Sequence, residues 1–172
     1  MLPMEKLLHI TLAEPLLKEM ENYELEDIMI IGFDDKMNII DHRFVGTNRK
    51  EKSACVLLKQ VAKIMLDKNY SFLLLAHNHP GAIPAPSSAD CDLTNKVMQL
   101  CSLIDVVFLD HIVVAKNYPW YSFEEFPADY SSPENLEALE DFAYAAYFKN
   151  NLEAFKQYCL KKGFRLVKKT AD

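Results

Sequence analysis

Five consecutive apolar residues, Phe72-Leu73-Leu74-Leu75-Ala76, separate two stretches of helical periodicity and run directly into a loop rich in proline. A bilayer span needs about 20 apolar residues, so a run this short is instead a strand buried in a core. Ahead of it, starting from Lys50, Val56, Leu57, Val61, Ile64 and Met65 recur at three- and four-residue spacing, and Asn69 closes that helix. Behind it, Ala89 to Leu103 reads as a second helix with Leu93, Val97, Leu100 and Cys101 facing inward. Asp27 to Phe33 and Ile39 to Val45 flank the turn Asp34-Asp35-Lys36-Met37-Asn38 and predict a β-hairpin. Two more strands are expected at Asp105 to Leu109 and His111 to Lys116. Residues 6 to 22 read as a short strand through Leu7, Leu8, Ile10 and Leu12, followed by a helical turn after Pro15. The resulting order, β-β-α-β-α-β-β, is that of an α/β sandwich with a mixed sheet.

A boundary falls near Pro127, which divides the chain into a strand and helical lead-in over 1–23, a domain over 24–126 and a helical tail over 127–172. In the tail, Ser132-Pro133-Glu134 is a helix start, with Ser as N-cap and Pro at the first helical position, and a second helix runs from about Asn151 to Lys162 and stops at Gly163. Tyr144, Tyr147, Phe148, Phe155 and Tyr158 make this tail aromatic. It is expected to pack on the core as a helical hairpin, the alternative being a surface for a partner or for self-association. The formal net charge of -6 argues against strong nucleic-acid binding, because phosphate contact demands a basic surface. The first residues lack the basic start and uninterrupted apolar core of a secretory signal, so the expected compartment is the cytoplasm, with no membrane association. The four cysteines show no C-x-x-C spacing and are expected as reduced, buried thiols. A chain of 172 residues does not need a metal to hold its fold, so a metal here would serve chemistry.

The pattern that carries such chemistry begins where the buried strand ends. His77 and His79 are one residue apart, and the period of two along a strand turns both imidazoles to one face. Eleven residues past His79, Asp90 stands in the first turn of the next helix, whose expected N-cap is Ser87. Two imidazoles and one carboxylate are a catalytic zinc set, three protein ligands that leave the fourth tetrahedral position open, whereas a structural site wants four. In a chain of this composition, H-x-H followed at these distances by Ser and Asp arises by chance roughly once in two thousand sequences. Hydrolysis of an amide also needs a base off the metal to carry a proton from water to the leaving amine. Spacing does not choose among Glu24, Glu26, Asp27, Asp34, Asp35 and Asp41 for that role.

The segment His77-Asn78-His79-Pro80, with Pro84, Pro86, Ser87 and Asp90 at matching distances and then Thr94 and Asp110-His111, resembles the RadC-like branch of the JAMM (JAB1/MPN+) metalloprotease-type domains over about residues 24 to 125. The resemblance implies a JAB/MPN-like (cytidine-deaminase-like) sandwich whose mixed sheet is flanked by helices, with the tail as a helical appendage. It also implies Zn2+ held by His77, His79 and Asp90, and Ser87 as a hydroxyl that helps hold the tetrahedral intermediate. In the family the catalytic glutamate lies eight residues before the Asp that opens the first hairpin turn, which implies Glu26 as general acid/base. The activity implied is a zinc-dependent hydrolase of peptide or isopeptide bonds acting on a protein or peptide substrate; the alternative is an accessory or binding protein in DNA maintenance or mobile-element biology. Asp110 and His111 either support the ligands from outside or pack the strand turn. The chain departs from the family's pattern at Pro80-Gly81-Ala82-Ile83, where a hydroxyl is lost and an exposed apolar residue is expected, and at Asn48-Arg49-Lys50-Glu51.

Overall fold

The computed structural model describes residues 8–47 and 54–124. They form α1 (Leu8–Met20), β1 (Asp27–Phe33), β2 (Ile39–Thr47), α2 (Ala54–Lys68), β3 (Phe72–Asn78), α3 (Ser88–Leu103), β4 (Val107–Val114) and β5 (Tyr121–Ser122). The five strands make one sheet in the order β2-β1-β3-β4-β5. β1 runs antiparallel to β2 and β3, β3 and β4 are parallel across the α3 crossover, and β5 returns antiparallel to β4. The α/β sandwich with a mixed sheet is therefore present, with the hairpin, both helices and the buried strand where periodicity predicts them. Among the described residues no helix is long and apolar enough to cross a membrane. The expected helices of the tail lie outside the described residues.

Strand alternation divides the core into two layers. Ile30, Leu73 and Leu75 face α2 and α3, packing with Leu57, Val61, Met65, Val97 and Cys101. Met29, Ile31, Phe33, Leu74 and Ala76 face α1, packing with Ala13, Leu17 and Met20. Because helices cover both faces, β1 and β3 read as continuous apolar runs rather than alternating ones. Cys91 and Cys101 are buried and not disulfide-bonded, as expected, and burial pushes the Cys101 thiol up to about 12.

Two sequence expectations are corrected. Leu8 to Leu12 is the first half of α1, not a strand. The side chains that hold the helix to the sheet, His9, Ala13, Leu17 and Met20, recur at helical spacing, whereas Leu8 and Leu12, which suggested a strand, are exposed. Pro15 lies inside this helix rather than at its start, on the exposed side. Asp105 to Lys116 likewise holds one strand, β4, and not two. Its register against β3 slips by one residue, Leu73 pairing with Phe108 and Leu74 with Asp110, which leaves Leu109 as a bulge. A bulge breaks the period of two, and so the sequence looked like two segments.

A glycine fixes one further contact. Gly32 of β1 pairs with Asp41 of β2, and the ring of Tyr70 lies directly over it. Its hydroxyl donates to Asp41 Oδ2 at 2.8 Å, an oxygen that also accepts from Arg43 Nε at 2.7 Å. A Cβ at position 32 would lie 2.2 Å from two atoms of the Tyr70 ring, a steric overlap. Gly32→Ala should therefore cost about 1–3 kcal/mol, read from chemical denaturation. The penalty should shrink when Tyr70 is also Ala; an equal penalty in both backgrounds would show that the ring is not the cause.

Candidate metal centre

The site forms where β3 ends against the start of α3. His77 and Asn78 are the last residues of β3, on opposite faces, and His79 follows immediately. Asn78 occupies the α1 side, where its Oδ1 accepts from the backbone N–H of Asp27 at 2.8 Å. Its Nδ2 donates to the carbonyls of Leu25 at 3.0 Å and Tyr23 at 3.3 Å. One buried side chain thus fastens the segment entering β1, and with it Glu26, to the end of the strand that carries the histidines. No periodicity or spacing revealed this, because its partners are backbone groups some fifty residues away.

At the other end of the loop, Ser87 caps α3 and Asp90 completes the box. The Ser87 hydroxyl accepts from Asp90 N at 3.2 Å, while Asp90 Oδ2 accepts from Ser87 N at 2.6 Å and Ser87 Oγ at 2.7 Å. The carboxylate is held in place with Oδ1 3.3 Å from His77 Nε2 and Oδ2 3.6 Å from His79 Nε2. Burial alone would raise its pKa, but the hydrogen bonds of His77 and His79, the charge of His77 and the bond from Ser87 hold it well below the usual carboxylate range. The first turn of a helix also favours an anion.

The tautomers of the imidazoles follow from one hydroxyl. Thr94 Oγ1 is 2.6 Å from the carbonyl of Asp90 and 2.6 Å from His111 Nδ1. A threonine hydroxyl has a single proton, and the carbonyl can only accept, so that proton goes to Asp90 O and His111 Nδ1–H donates to Thr94. His111 Nε2 then carries a lone pair, since burial foremost, and the charge of His77 next, lower its pKa well below the ordinary value and keep it neutral. His77 Nδ1, 2.7 Å away, is consequently the donor to His111 Nε2. His79 Nδ1 donates to the carbonyl of Ile83 at 3.0 Å. Burial lowers the His79 pKa, but the hydrogen bond and charge of Asp90, together with the Ile83 carbonyl, outweigh it, and the net shift is upward. Both ring Nε2 atoms are left to face the site, 2.9 Å apart.

With both Nδ1 protons committed, the neutral rings would turn two lone pairs toward each other beside a carboxylate, an arrangement that a cation between them, proton or metal ion, relieves. This donor set fits a metal ion: separations of 2.9, 3.3 and 3.6 Å suit ligands each about 2.0–2.2 Å from one centre. Glu26 joins the group, with one ligand atom from each of Glu26, His77, His79 and Asp90 within 4.8 Å of the others. The fold thus brings Glu26, His77, His79, Ser87 and Asp90 together, with Asn78 and Thr94 as their supports. His111 is hydrogen-bonded to a candidate ligand, whereas Asp110 lies on the opposite face of the sheet. Ile83 is partly buried rather than exposed. Its carbonyl orients His79, which any residue there could do. Beside the site, the lead-in to β1 and the loop after His79 wall a cavity of about 590 Å³ whose lining includes Tyr23, Glu24, Pro80, Gly81 and Lys116.

A family model described as RadC-like JAB domain matches residues 9–128, more than half of the chain. The chain belongs to the RadC-like JAB domain family. Proteins named UPF0758 are similar to it. One from Actinobacillus pleuropneumoniae serotype 5b (strain L20) is 36% identical over 109 residues, 62% of this chain and 48% of the relative. Another from Histophilus somni (strain 2336) is 36% identical over 110 residues, 62% and 47%. A third from Streptococcus agalactiae serotype Ia is 32% identical over 116 residues, 66% and 50%. The matched part of this RadC-like chain thus spans about half the length of these curated relatives. The five-stranded mixed sheet flanked by helices is its α/β JAB-like domain.

The proton assignment is directly measurable. In two-bond 1H–15N correlation spectra of the metal-free protein at neutral pH, His111 should appear as the neutral Nδ1–H tautomer. Thr94→Val, which removes its acceptor, should shift that population toward Nε2–H. A dominant Nε2–H form in the unaltered protein would refute the assignment.

Proposed function

We propose that this RadC-like domain is a zinc-dependent hydrolase of peptide or isopeptide bonds. The reading rests on one observation: a carboxylate off the ligand set, Glu26, stands within 4.8 Å of three donor atoms that converge as metal ligands do. His77, His79 and Asp90 would hold the ion, and two nitrogens with one oxygen suit zinc. When bound, the ion supplies Lewis acidity, polarising a carbonyl and easing the deprotonation of water. Glu26 takes the proton from the attacking water and returns it to the departing amine as the C–N bond breaks, so that the glutamate ends as it began. The Asn78 bonds to the Tyr23-to-Asp27 segment keep that carboxylate in reach.

Ser87 is the hydroxyl proposed to steady the oxyanion that develops on the attacked carbonyl. For this its proton must turn from Asp90 Oδ2 toward the substrate. The Ser87 backbone N–H, 2.6 Å from the same oxygen, keeps the carboxylate in place meanwhile. The cavity of about 590 Å³ between the β1 lead-in and the loop after His79 would receive the chain of a protein or peptide substrate. A net charge of -6 supports the further expectation of weak or no nucleic-acid binding at physiological salt. The cytoplasm remains the proposed compartment.

Two variants test the assignment. His77→Ala should lower zinc content by elemental analysis while leaving the fold intact; full occupancy in that variant would reject the ligand set. Glu26→Gln should keep zinc yet lose about 10²–10⁴-fold in cleavage of an isopeptide-linked substrate, because an amide cannot carry the proton. Should the unaltered, zinc-loaded protein cleave no member of a peptide and isopeptide library, the accessory role in DNA maintenance or mobile-element biology becomes the better reading.

A further inference from the structure

On the other face of the sheet, β4 carries a second convergence of ligating side chains. His9, in the first turn of α1, is 4% exposed, and among the described residues its Nε2 makes no hydrogen bond. That nitrogen lies 3.5 Å from Oδ2 of Asp110, a carboxylate 1% exposed. Asp110 accepts from three donors. The backbone N–H groups of His111 and Glu124 reach Oδ1 at 2.7 and 3.0 Å, and the Ser122 hydroxyl reaches Oδ2 at 2.6 Å. Three donors turned on one carboxyl that is taken out of water suit a cationic partner beside it. The Glu124 carboxylate completes the group, one ligand atom from each of His9, Asp110 and Glu124 lying within 4.8 Å of the others.

We propose that His9, Asp110 and Glu124 form a second divalent-cation site, for an ion of the zinc, cobalt or manganese type. One imidazole nitrogen and two carboxylates are a donor set such ions accept. A proton on His9 would bring one positive charge to two carboxylates; a divalent ion brings two. The bond from Ser122 orients the Asp110 carboxylate from behind, the arrangement by which proteins stiffen metal ligands. Glu124 is exposed and Asp110 is not, so the ion enters from the Glu124 side. Its ligands come from α1, β4 and the residues just after β5, and the bound ion ties the first helix to the last strand pair.

This site shares no residue with the centre at Glu26, His77, His79 and Asp90, so each is tested with the other disabled. The full chain carrying His77→Ala and His79→Ala is loaded with Zn2+, dialysed and assayed by elemental analysis and thermal unfolding. It should retain about one equivalent where the unaltered protein holds about two, and Zn2+ should raise its Tm, as any ligand selective for the folded state does. Adding Glu124→Ala, a change at an exposed position, should remove both the retained zinc and the Tm shift, and His9→Ala should do the same. No zinc in the double-histidine variant, or retention and a Tm shift unaffected by Glu124→Ala, overturns the proposal. An unaltered protein with a single equivalent that survives loss of His77 and His79 but not of Glu124 supports this site while refuting the first.

Discussion

Helices cover β3 on both faces, so the two polar residues at its end, His77 and Asn78, are taken out of water on opposite sides of the sheet. Leaving such a group unpaired costs about 1–3 kcal/mol. Each therefore has to be met by a partner from elsewhere in the chain, and those partners define the site. Asn78 is satisfied by three backbone groups of the segment entering β1, which brings Glu26 to the strand's end. His77 is satisfied through His111, which in turn is satisfied through Thr94 and the carbonyl of Asp90. Satisfying the polar end of one strand thus gathers the four side chains of the candidate centre.

The same hydrogen bonds decide the electrostatics. Protons held on the far sides of both imidazoles turn the two Nε2 atoms inward, and against burial the bonds of His77 and His79, with the capping bond from Ser87, favour the charged form of Asp90. Here Nδ1 of each ring has an acceptor of its own, and that arrangement makes the inward face electron-rich. The helix start contributes in the same direction, since the first turn of α3 is where a carboxylate is most easily kept charged.

Much of this was legible in the sequence, and the exceptions have physical causes. The histidine pair follows from strand alternation, and Ser87 and Asp90 follow from the chemistry of a helix start; both are local rules, and both hold. Glu26 could not be chosen from spacing, because its proximity depends on Asn78 reaching across to another strand, and only the family resemblance selected it. The first half of α1 was missed because Leu8 and Leu12 are apolar yet exposed, which masked the stripe that does the packing. β4 was divided because the extra residue Leu109 interrupts its period. The roles of Thr94 and His111 lie in a chain of protons that runs through three elements, and no one-dimensional pattern records it.

That extra residue has consequences on both faces of the sheet. With Phe108 paired to Leu73, an unbulged β4 would set Leu109 beside Leu74, Asp110 beside Leu75 and His111 beside Ala76. Parallel neighbours share a face, so Asp110 would then point toward His77 and α3, and His111 toward α1. The carboxylate would compete for the His77 Nδ1 proton with a charge the site does not need there, and His9 would meet an imidazole in place of an anion. The bulge reverses both outcomes. It places a neutral acceptor behind His77 and a buried carboxylate beneath His9, so the proton assignment in one layer and the charge in the other rest on a single slip of register between two strands.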